Sequence, residues 1–430
     1  MTTTHLPQSL PAGDAAPTPA ARRRPWWPTR RRPGASRFLG LDAARGLAVL
    51  GMVIAHAAVV GVWGEEPSAL LGFAHGHSSI LFATIAGVSL TLVSGGATPP
   101  SGDDLVRARL GILTRAVALL IISGALTLLP PAVAIILASY ALWFILAIPF
   151  LRWRPRALLI AAGVTAVFGG AAAAWLQVVT ANAGASVQAT PEGFVPALLI
   201  GGTYPAFAWM AFVFAGMAIG RAGLTNTRAL RRFAAAGAAL FVLAAAPFVV
   251  QERSLAPVFG TAPGIFASSG SSGSNTAPKD LTTGEPWSKT ESSNMADDSE
   301  KWGGKQLASF DPASLWTLNP HSGSPFESLS SGGLAMFTIA GLTLLGRRTW
   351  AHWPLLPLLG VGAMSLTAYV AHAVVLGFWP KDDSVTHNWY VFWLCLGLVV
   401  ACGLWCRFFT SGPLEQAVGA LTDRAKAPLR

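Results

Sequence analysis

Runs of about 20 apolar residues recur along the whole chain, and they constrain its fold more than any other feature. A helix of that length crosses about 30 Å of hydrocarbon. Charged residues make up only 12% of the sequence, against about 25% in an average soluble domain. The sequence therefore predicts an all-α, polytopic integral membrane protein with about ten transmembrane helices. The predicted spans are 43–63, 77–95, 110–129, 131–150, 157–179, 200–220, 231–250, 331–346, 355–378 and 389–410.

The distribution of basic residues predicts the orientation of these helices, because short cytoplasmic segments retain Lys and Arg. With ten spans and an inner N-terminus, most of the 30 Lys and Arg residues lie in inner segments. Both termini are therefore predicted to be cytoplasmic, in a multi-pass protein of the plasma membrane. The net charge of +10 follows from this topology and from attraction to anionic lipid. The lipid bilayer is a predicted partner, and nucleic acid is not.

Composition divides the chain into five predicted segments. Residues 1–36 are rich in Pro, Ala, Thr and Arg, which is typical of a disordered tail. The other segments are an N-terminal membrane region of about seven helices (37–250), a long extracytoplasmic loop (251–330), a C-terminal membrane region of about three helices (331–410) and a cytoplasmic tail (411–430). Part of the loop, which contains Trp287, Trp302 and Trp316, is predicted to cover an outer pocket. A poorly ordered insertion is the alternative for 265–300.

Six of the eight histidines fall on the predicted outer side of the membrane, and this placement is the main indication of function. They are His56, His75, His77, His321, His372 and His387. Ionisable groups within spans usually face the protein interior or an aqueous cavity, which favours a role for His56 and His372. An imidazole can take a proton from an attacking hydroxyl or amine, or carry an acyl group itself. A single histidine is more often structural, so the hypothesis requires that these side chains converge.

A metal site is a weaker hypothesis for the same histidines. His75 and His77 are two positions apart, so on a helix they point about 200° away from each other. The spacing carries no zinc signature. The cysteines share one helix face and are predicted to pack rather than to bind metal or form disulfides; they are Cys395, Cys402 and Cys406. We predict no metal and no permanently bound cofactor.

Arginines at the inner side predict a phosphate-binding mouth. Arg45 lies at the beginning of the first apolar run, and three more arginines precede or enter the third: Arg107, Arg109 and Arg115. Guanidinium groups suit phosphates, such as those of an acyl-CoA. Asp42 is placed to cap the first helix at its N-terminus. Anchoring of Arg45 in the lipid headgroups is the alternative.

Several segments resemble one family of membrane proteins. Arg37–His56 is similar to the opening span of the transmembrane acyltransferase superfamily. Gly76–Ser89 is similar to the second span of bacterial, in particular actinobacterial, heparan-α-glucosaminide N-acetyltransferase-like proteins. Two later pairs of segments also resemble those proteins, the second pair in a C-terminal membrane region of unknown function. They are Gly202–Trp209 with Gly216–Arg221, and Pro320–Pro325 with Gly362–His372.

The resemblance implies transfer of an acyl group from cytoplasmic acyl-CoA, typically acetyl-CoA, to an acceptor outside. Arg45 and His56 match the arginine and histidine of the superfamily's first-span motif, so they are the first candidates for the site. The eukaryotic enzyme carries its active histidine between the first two spans, before a Trp-Asn-Gly sequence. This chain has no Trp-Asn-Gly there, and His75 and His77 are the second candidates for catalysis.

A mechanism follows as a hypothesis. The acyl-CoA cosubstrate binds at the inner arginines, and His56 or His77 activates the acceptor or takes the acyl group. The residues predicted to line the acceptor site are Tyr204, Trp209, His321 and His372. The predicted acceptor is a glycan or glycolipid of the cell envelope.

Two other classes of protein fit the same sequence. A transporter without chemistry also buries polar groups among its spans, and histidines can relay protons in it. A non-catalytic member of the family, acting in envelope assembly, is the other alternative. The sequence leaves the oligomeric state open, and a homo-oligomer is one option.

Overall fold

A computed structural model describes residues 38–57, 73–129, 134–184, 193–259, 310, 312–378 and 389–427, without the side chains of 250–259 and 314. Within these ranges the chain is predominantly helical and contains no strand, which confirms the all-α prediction. The helices are α1 (Leu39–Ala57), α2 (His77–Val93), α3 (Gly102–Thr127), α4 (Leu137–Ala147), α5 (Pro155–Asn182), α6 (Phe194–Leu199), α7 (Ala206–Ala222), α8 (Thr227–Phe259), α9 (Pro325–Leu345), α10 (His352–Ala363), α11 (Ser365–Gly377), α12 (Trp389–Phe408) and α13 (Pro413–Lys426). Short 3-10 turns occur at Ile148–Arg152, Pro312–Leu315 and Thr349–Ala351.

Every predicted span overlaps a helix or helix pair of the described chain. Six helices are long and apolar enough to cross a membrane, namely α1, α3, α5, α8, α9 and α12. The bent pair formed by α10 and α11 raises the number to seven if it is one span, and α2, α4 and α7 are apolar but shorter. The chain is therefore a multi-pass membrane protein, while the number of ten spans and the orientation stay predictions.

The bent pair breaks at Met364, where the axes of the two helical segments differ by 76°. A helix that starts inside a bundle leaves its first backbone N–H groups without helical partners. Glu415 of α13 accepts hydrogen bonds from two of them, Leu366 N at 2.7 Å and Thr367 N at 3.2 Å. The segment 411–430, predicted only as a tail, thus contains a helix that packs against α3 and α11.

The centre of the bundle is formed by α1, α2, α7 and α9, in which α2 and α9 pack on each other and each packs on both α1 and α7. In α1 and α9, 56% of the apolar 18-residue stretch is buried inside the protein, against 17% in α8 and 22% in α12. Small residues allow the central backbones to approach closely. A methyl group at Gly216 of α7 would overlap the Thr84 carbonyl of α2, and one at Gly87 would overlap the Val213 carbonyl of α7.

Two kinds of polar residue lie at opposite ends of the helical bundle. At one end the guanidinium of Arg221 is buried and donates to the carbonyl oxygens of Ser94, Gly96 and Leu151, which ties α7 to the ends of α2 and α4. The arginines of α3 lie towards this end, which is the predicted cytoplasmic one. The opposite end, around the beginning of α2 and the end of α1, contains five histidines: His56, His75, His77, His321 and His372.

We expect Gly216→Ala to destabilise the protein, whereas Gly163→Ala should stabilise it slightly. The new methyl at position 216 has no room beside Thr84, and overpacking costs about 1–3 kcal/mol. Gly163 lies in α5 with nothing within 4 Å of an added methyl, and Gly→Ala in a helix gains about 0.5–1 kcal/mol. Thermal unfolding of the detergent-purified variants measures both. An equal shift of the two midpoints would contradict the close packing of α2 on α7.

Candidate functional site

Two histidines from distant parts of the sequence form the centre of the site. His56 lies in the last turn of α1 and His372 lies in α11. His56 Nδ1 is 3.2 Å from His372 Nε2, and the two rings stack with centroids 5.5 Å apart and planes 14° apart. His372 is fully buried, whereas His56 is partly exposed. The pair therefore presents one imidazole to a ligand and keeps the other inside the protein.

The surroundings of His372 favour one arrangement of protons in this pair. Its Nδ1 makes no hydrogen bond of good geometry, but the carbonyl groups of Ala368 and Tyr369 on its own helix lie beside it. Carbonyl oxygens favour an N–H at Nδ1, which leaves His372 Nε2 as the acceptor for an N–H at His56 Nδ1. The other nitrogen of His56, Nε2, then carries the lone pair. This arrangement makes His56 suitable as a general base.

A third histidine, His321, lies in the loop that precedes α9. Its backbone has a φ of 63°, and no other non-glycine residue of the described chain has a positive φ. The ring stacks on Trp209 at 5.8 Å and 14°, and meets Tyr204 edge-on at 5.3 Å. Strained backbone of this kind persists only where the surroundings fix it, and it concentrates at functional sites.

The carboxylate of Glu327 fixes this loop. It accepts hydrogen bonds from His321 N at 2.6 Å, Gly323 N at 2.9 Å and the hydroxyl of Ser322 at 3.0 Å. Ser324 is the N-cap of α9 and accepts from Glu327 N at 3.0 Å, as in the capping box. The loop is thereby bound to the first turn of α9 through both its backbone and its side chains.

The two histidines before α2 have different surroundings. His75 is coupled electrostatically to His56 and to His321, and its Nε2 is buried without a hydrogen-bond partner in the described chain. His77 stacks on Phe73 at 4.5 Å, and its Nδ1 lies 3.2 Å from the His75 carbonyl oxygen. The structure therefore brings His75 together with His56, His321 and His372, while His77 is engaged by Phe73 and its own backbone.

Burial favours the neutral form of the two site histidines that lie outside the membrane helices, His75 and His321. Burial and, to a smaller extent, the nearby His75 lower the pKa of His321 to about 4. Burial also lowers the pKa of His75. The described part of the chain contains no group of three or more His, Cys, Asp or Glu that could hold a metal ion. Neutral imidazoles in this arrangement can exchange protons and hydrogen bonds with a ligand.

Tyr204 and Trp209, predicted to line the acceptor site, lie beneath His321. Trp209 is only 2% exposed, and its indole stacks on Trp143 at 5.4 Å as well as on His321. Tyr204 is 7% exposed and packs edge-on against both Trp209 and His321. The two aromatic side chains therefore support the ring of His321 from below.

Three of the four predicted donor-binding arginines have separate partners, and the fourth is exposed. Arg45 pairs with Asp42 at 3.0 Å and donates to the Ser89 hydroxyl at 2.7 Å. Arg107 pairs with Asp104 at 3.2 Å, Arg115 interacts with Asp423 of α13, and Arg109 is exposed. Arg45 belongs to the central helix α1, whereas the other three belong to α3, which packs chiefly on α4 and α13. The structure thus provides arginines in two places rather than one assembled mouth.

Glu327 was not predicted as a site residue, because the eighth span was predicted to begin at 331, which left this residue in a loop. The helix begins at Pro325, and the sequence Ser324-Pro-Phe-Glu327 before an apolar run is the signal of a capping box. Asp42 was predicted as a helix cap, but it lies in the first turn of α1 and binds Arg45. His387, Trp287, Trp302 and most of the predicted lid lie outside the described residues.

Comparison with known proteins finds two families in the chain. The model of the family described as heparan-alpha-glucosaminide N-acetyltransferase, catalytic, matches residues 37–256, and a family of unknown function, DUF418, matches residues 312–425. No curated protein and no solved structure matches the chain. The first match covers just over half of the 430 residues and contains the motif that carries His56. The chain therefore belongs to the heparan-alpha-glucosaminide N-acetyltransferase catalytic family, a family of membrane acyltransferases, and is joined to a DUF418 region.

Proposed function

We propose that this protein transfers an acyl group, with acetyl-CoA as the donor, to a glycan or glycolipid acceptor on the outer side of the plasma membrane. The observation that carries the proposal is the hydrogen-bonded pair of His56 and His372 in a chain of this family. The pair supplies a partly exposed imidazole whose second nitrogen is held by a buried partner. Proton transfer by an imidazole is the chemistry that acyl transfer to a hydroxyl or amine requires.

The reaction proceeds through one tetrahedral intermediate. The oxygen or nitrogen of the acceptor forms a bond with the thioester carbon while His56 Nε2 takes its proton. The intermediate then collapses, the carbon–sulfur bond breaks, and the thiolate of CoA leaves with the electron pair of that bond. His56 returns the proton to the sulfur. His372 keeps His56 in the required tautomer and orientation throughout, as an orienting partner does in other acyl-transfer sites.

The donor reaches His56 along the inner face of α1. Arg45 and His56 are eleven positions apart, which is about three helical turns and about 16 Å. They therefore lie on nearly the same face of the helix. The arginines of α3 lie towards the predicted cytoplasmic end, where the nucleotide of acetyl-CoA enters, and exposed Arg109 is the member best placed to meet its phosphates.

His56→Ala should abolish release of free thiol from acetyl-CoA, whereas His77→Ala should retain most of it. Removal of a general base lowers kcat by about 100-fold or more. His77 is held by Phe73 and by the His75 carbonyl rather than by a member of the histidine pair. The assay uses detergent-purified protein with a sugar acceptor. Loss of activity in His77→Ala with activity retained in His56→Ala would reverse the assignment of the base.

His372→Ala should lower kcat by about ten-fold, the equivalent of one hydrogen bond, with little change in the KM for acetyl-CoA. His372→Gln should recover part of the loss, because the amide oxygen of Gln can accept the hydrogen bond from His56 Nδ1. Steady-state kinetics of the two variants measure the effect. Equal losses in Ala and Gln variants would indicate a packing role for His372.

Arg109→Ala should raise the KM for acetyl-CoA by about ten-fold at low ionic strength, as expected for one charge-assisted contact to phosphate. Arg156→Ala is the matched control, because Arg156 is also exposed and follows the predicted inner end of α4. Kinetics at two salt concentrations separate a phosphate contact from a change in folding. An unchanged KM for acetyl-CoA in Arg109→Ala would show that Arg109 of α3 does not bind the donor.

A carrier is the second candidate, and the break between α10 and α11 is the observation that favours it. Discontinuous helices often form the substrate sites of transporters. Proteoliposomes that take up a labelled sugar without releasing CoA would support the carrier. Thiol release that depends on both acetyl-CoA and an acceptor would support acyl transfer.

A further inference from the structure

The left-handed backbone conformation of His321 is stabilised by the buried carboxylate of Glu327. A carboxylate in a buried position loses its hydration, and hydrogen bonds must replace it. Glu327 is only 4% exposed, and its carboxylate receives three such bonds from the His321 loop. Its position in the first turn of α9 also places the negative charge at the positive end of the helix. Both contributions stabilise the loop and, with it, the backbone of His321.

The neighbouring elements are shaped to admit this loop. Gly170 of α5 lies directly against the carbonyl of Gly323, where a methyl group would overlap it. Gly76 has a φ of 72°, and a methyl there would lie 3.1 Å from Pro320. Ser324 donates its hydroxyl to the carbonyl of Thr317. Two segments that are distant in sequence therefore pack closely against one short loop, which is also tied together internally, although the loop carries a single ionisable side chain, His321.

The ring of His321 has a supported side and an unsatisfied side. Trp209 and Tyr204 hold it from below, while Nδ1 is buried without a hydrogen-bond partner among the described residues. His75 Nε2 is in the same situation, and these two histidines interact electrostatically. His321 is also coupled to His56. Buried polar nitrogens without partners cost about 1–3 kcal/mol each, so a ligand that satisfies them gains affinity.

We propose that His321 binds the acceptor, through a hydrogen bond between its imidazole and the hydroxyl or amine of a sugar, and that Glu327 is the positioning residue that holds it there. This inference rests on the proposed acyl transfer. Because His321 and Glu327 lie within residues 312–425, it also assigns a task to the region of unknown function. That region supplies the acceptor side of a site whose base lies in the other matched region.

The test compares His321→Asn and Glu327→Gln with the wild type in detergent, using glucosamine and methyl α-glucoside as acceptor probes. Asn tolerates a positive φ, so His321→Asn removes the imidazole and keeps the loop. Glu327→Gln keeps the imidazole and weakens the hydrogen bonds that position it. The measurements are the KM and kcat for each acceptor, and the dissociation constant of acetyl-CoA by titration calorimetry without acceptor.

We expect His321→Asn to raise the acceptor KM by about ten-fold, the equivalent of one lost hydrogen bond, with unchanged binding of acetyl-CoA. Glu327→Gln should change the KM in the same direction and by a smaller factor. The control for His321 is His352→Ala, because His352 bonds the Gly346 carbonyl at the other end of the bundle. The control for Glu327 is Glu415→Gln, which also weakens hydrogen bonds to backbone N–H groups at the start of a helix.

Each remaining outcome overturns the inference in a recognisable way. An acceptor KM that stays at the wild-type value in His321→Asn excludes His321 from acceptor binding while leaving acyl transfer intact. Weaker binding of acetyl-CoA in His321→Asn would place the residue on the donor side instead. A wild-type protein that releases no thiol with either sugar overturns the proposed transfer to sugars, and the inference with it. An equal rise in the acceptor KM in Glu415→Gln would show that Glu327→Gln acts through the general stability of the protein and not through the position of His321.

Discussion

Within a membrane, a buried polar group can be satisfied only by another group of the protein, and the architecture of this chain depends on that constraint. Arg221 is surrounded by the carbonyl oxygens of three other residues, and Glu415 satisfies the N–H groups exposed where the bent pair begins its second helix. Each of these contacts joins segments that are far apart in sequence. Polar residues that would weaken an isolated span thus determine which spans meet.

The histidine end of the bundle follows the same constraint less completely. His56 and His372 satisfy one another, and Glu327 satisfies its loop, but nitrogens of His75 and His321 remain without partners in the described chain. Three of the five side-chain nitrogens that are buried without a hydrogen-bond partner in the described chain belong to histidines at this end, namely His75, His321 and His372. A site that binds a polar substrate explains this concentration, because the substrate completes the pairing.

Much of the fold could be predicted from the sequence, because the length of the apolar runs determines where helices occur. The break at Met364 could not, since the surrounding sequence is as apolar as an ordinary span. Convergence of His56 with His372 was only a hypothesis from topology, because 316 positions separate them and no local pattern relates them. The supporting role of Trp209 was also hidden, since a sequence shows an aromatic residue but not which of its faces are covered.

The candidate site contains residues from both matched regions of the chain. His56, His75 and Trp209 come from the first region, and His321, Glu327 and His372 come from the second. Exchange of whole regions between related chains would therefore separate His56, the proposed base, from its buried partner and from the residues that hold the loop. The two regions therefore form one structural unit, in which a change on one side of the histidine pair requires a compatible side chain on the other.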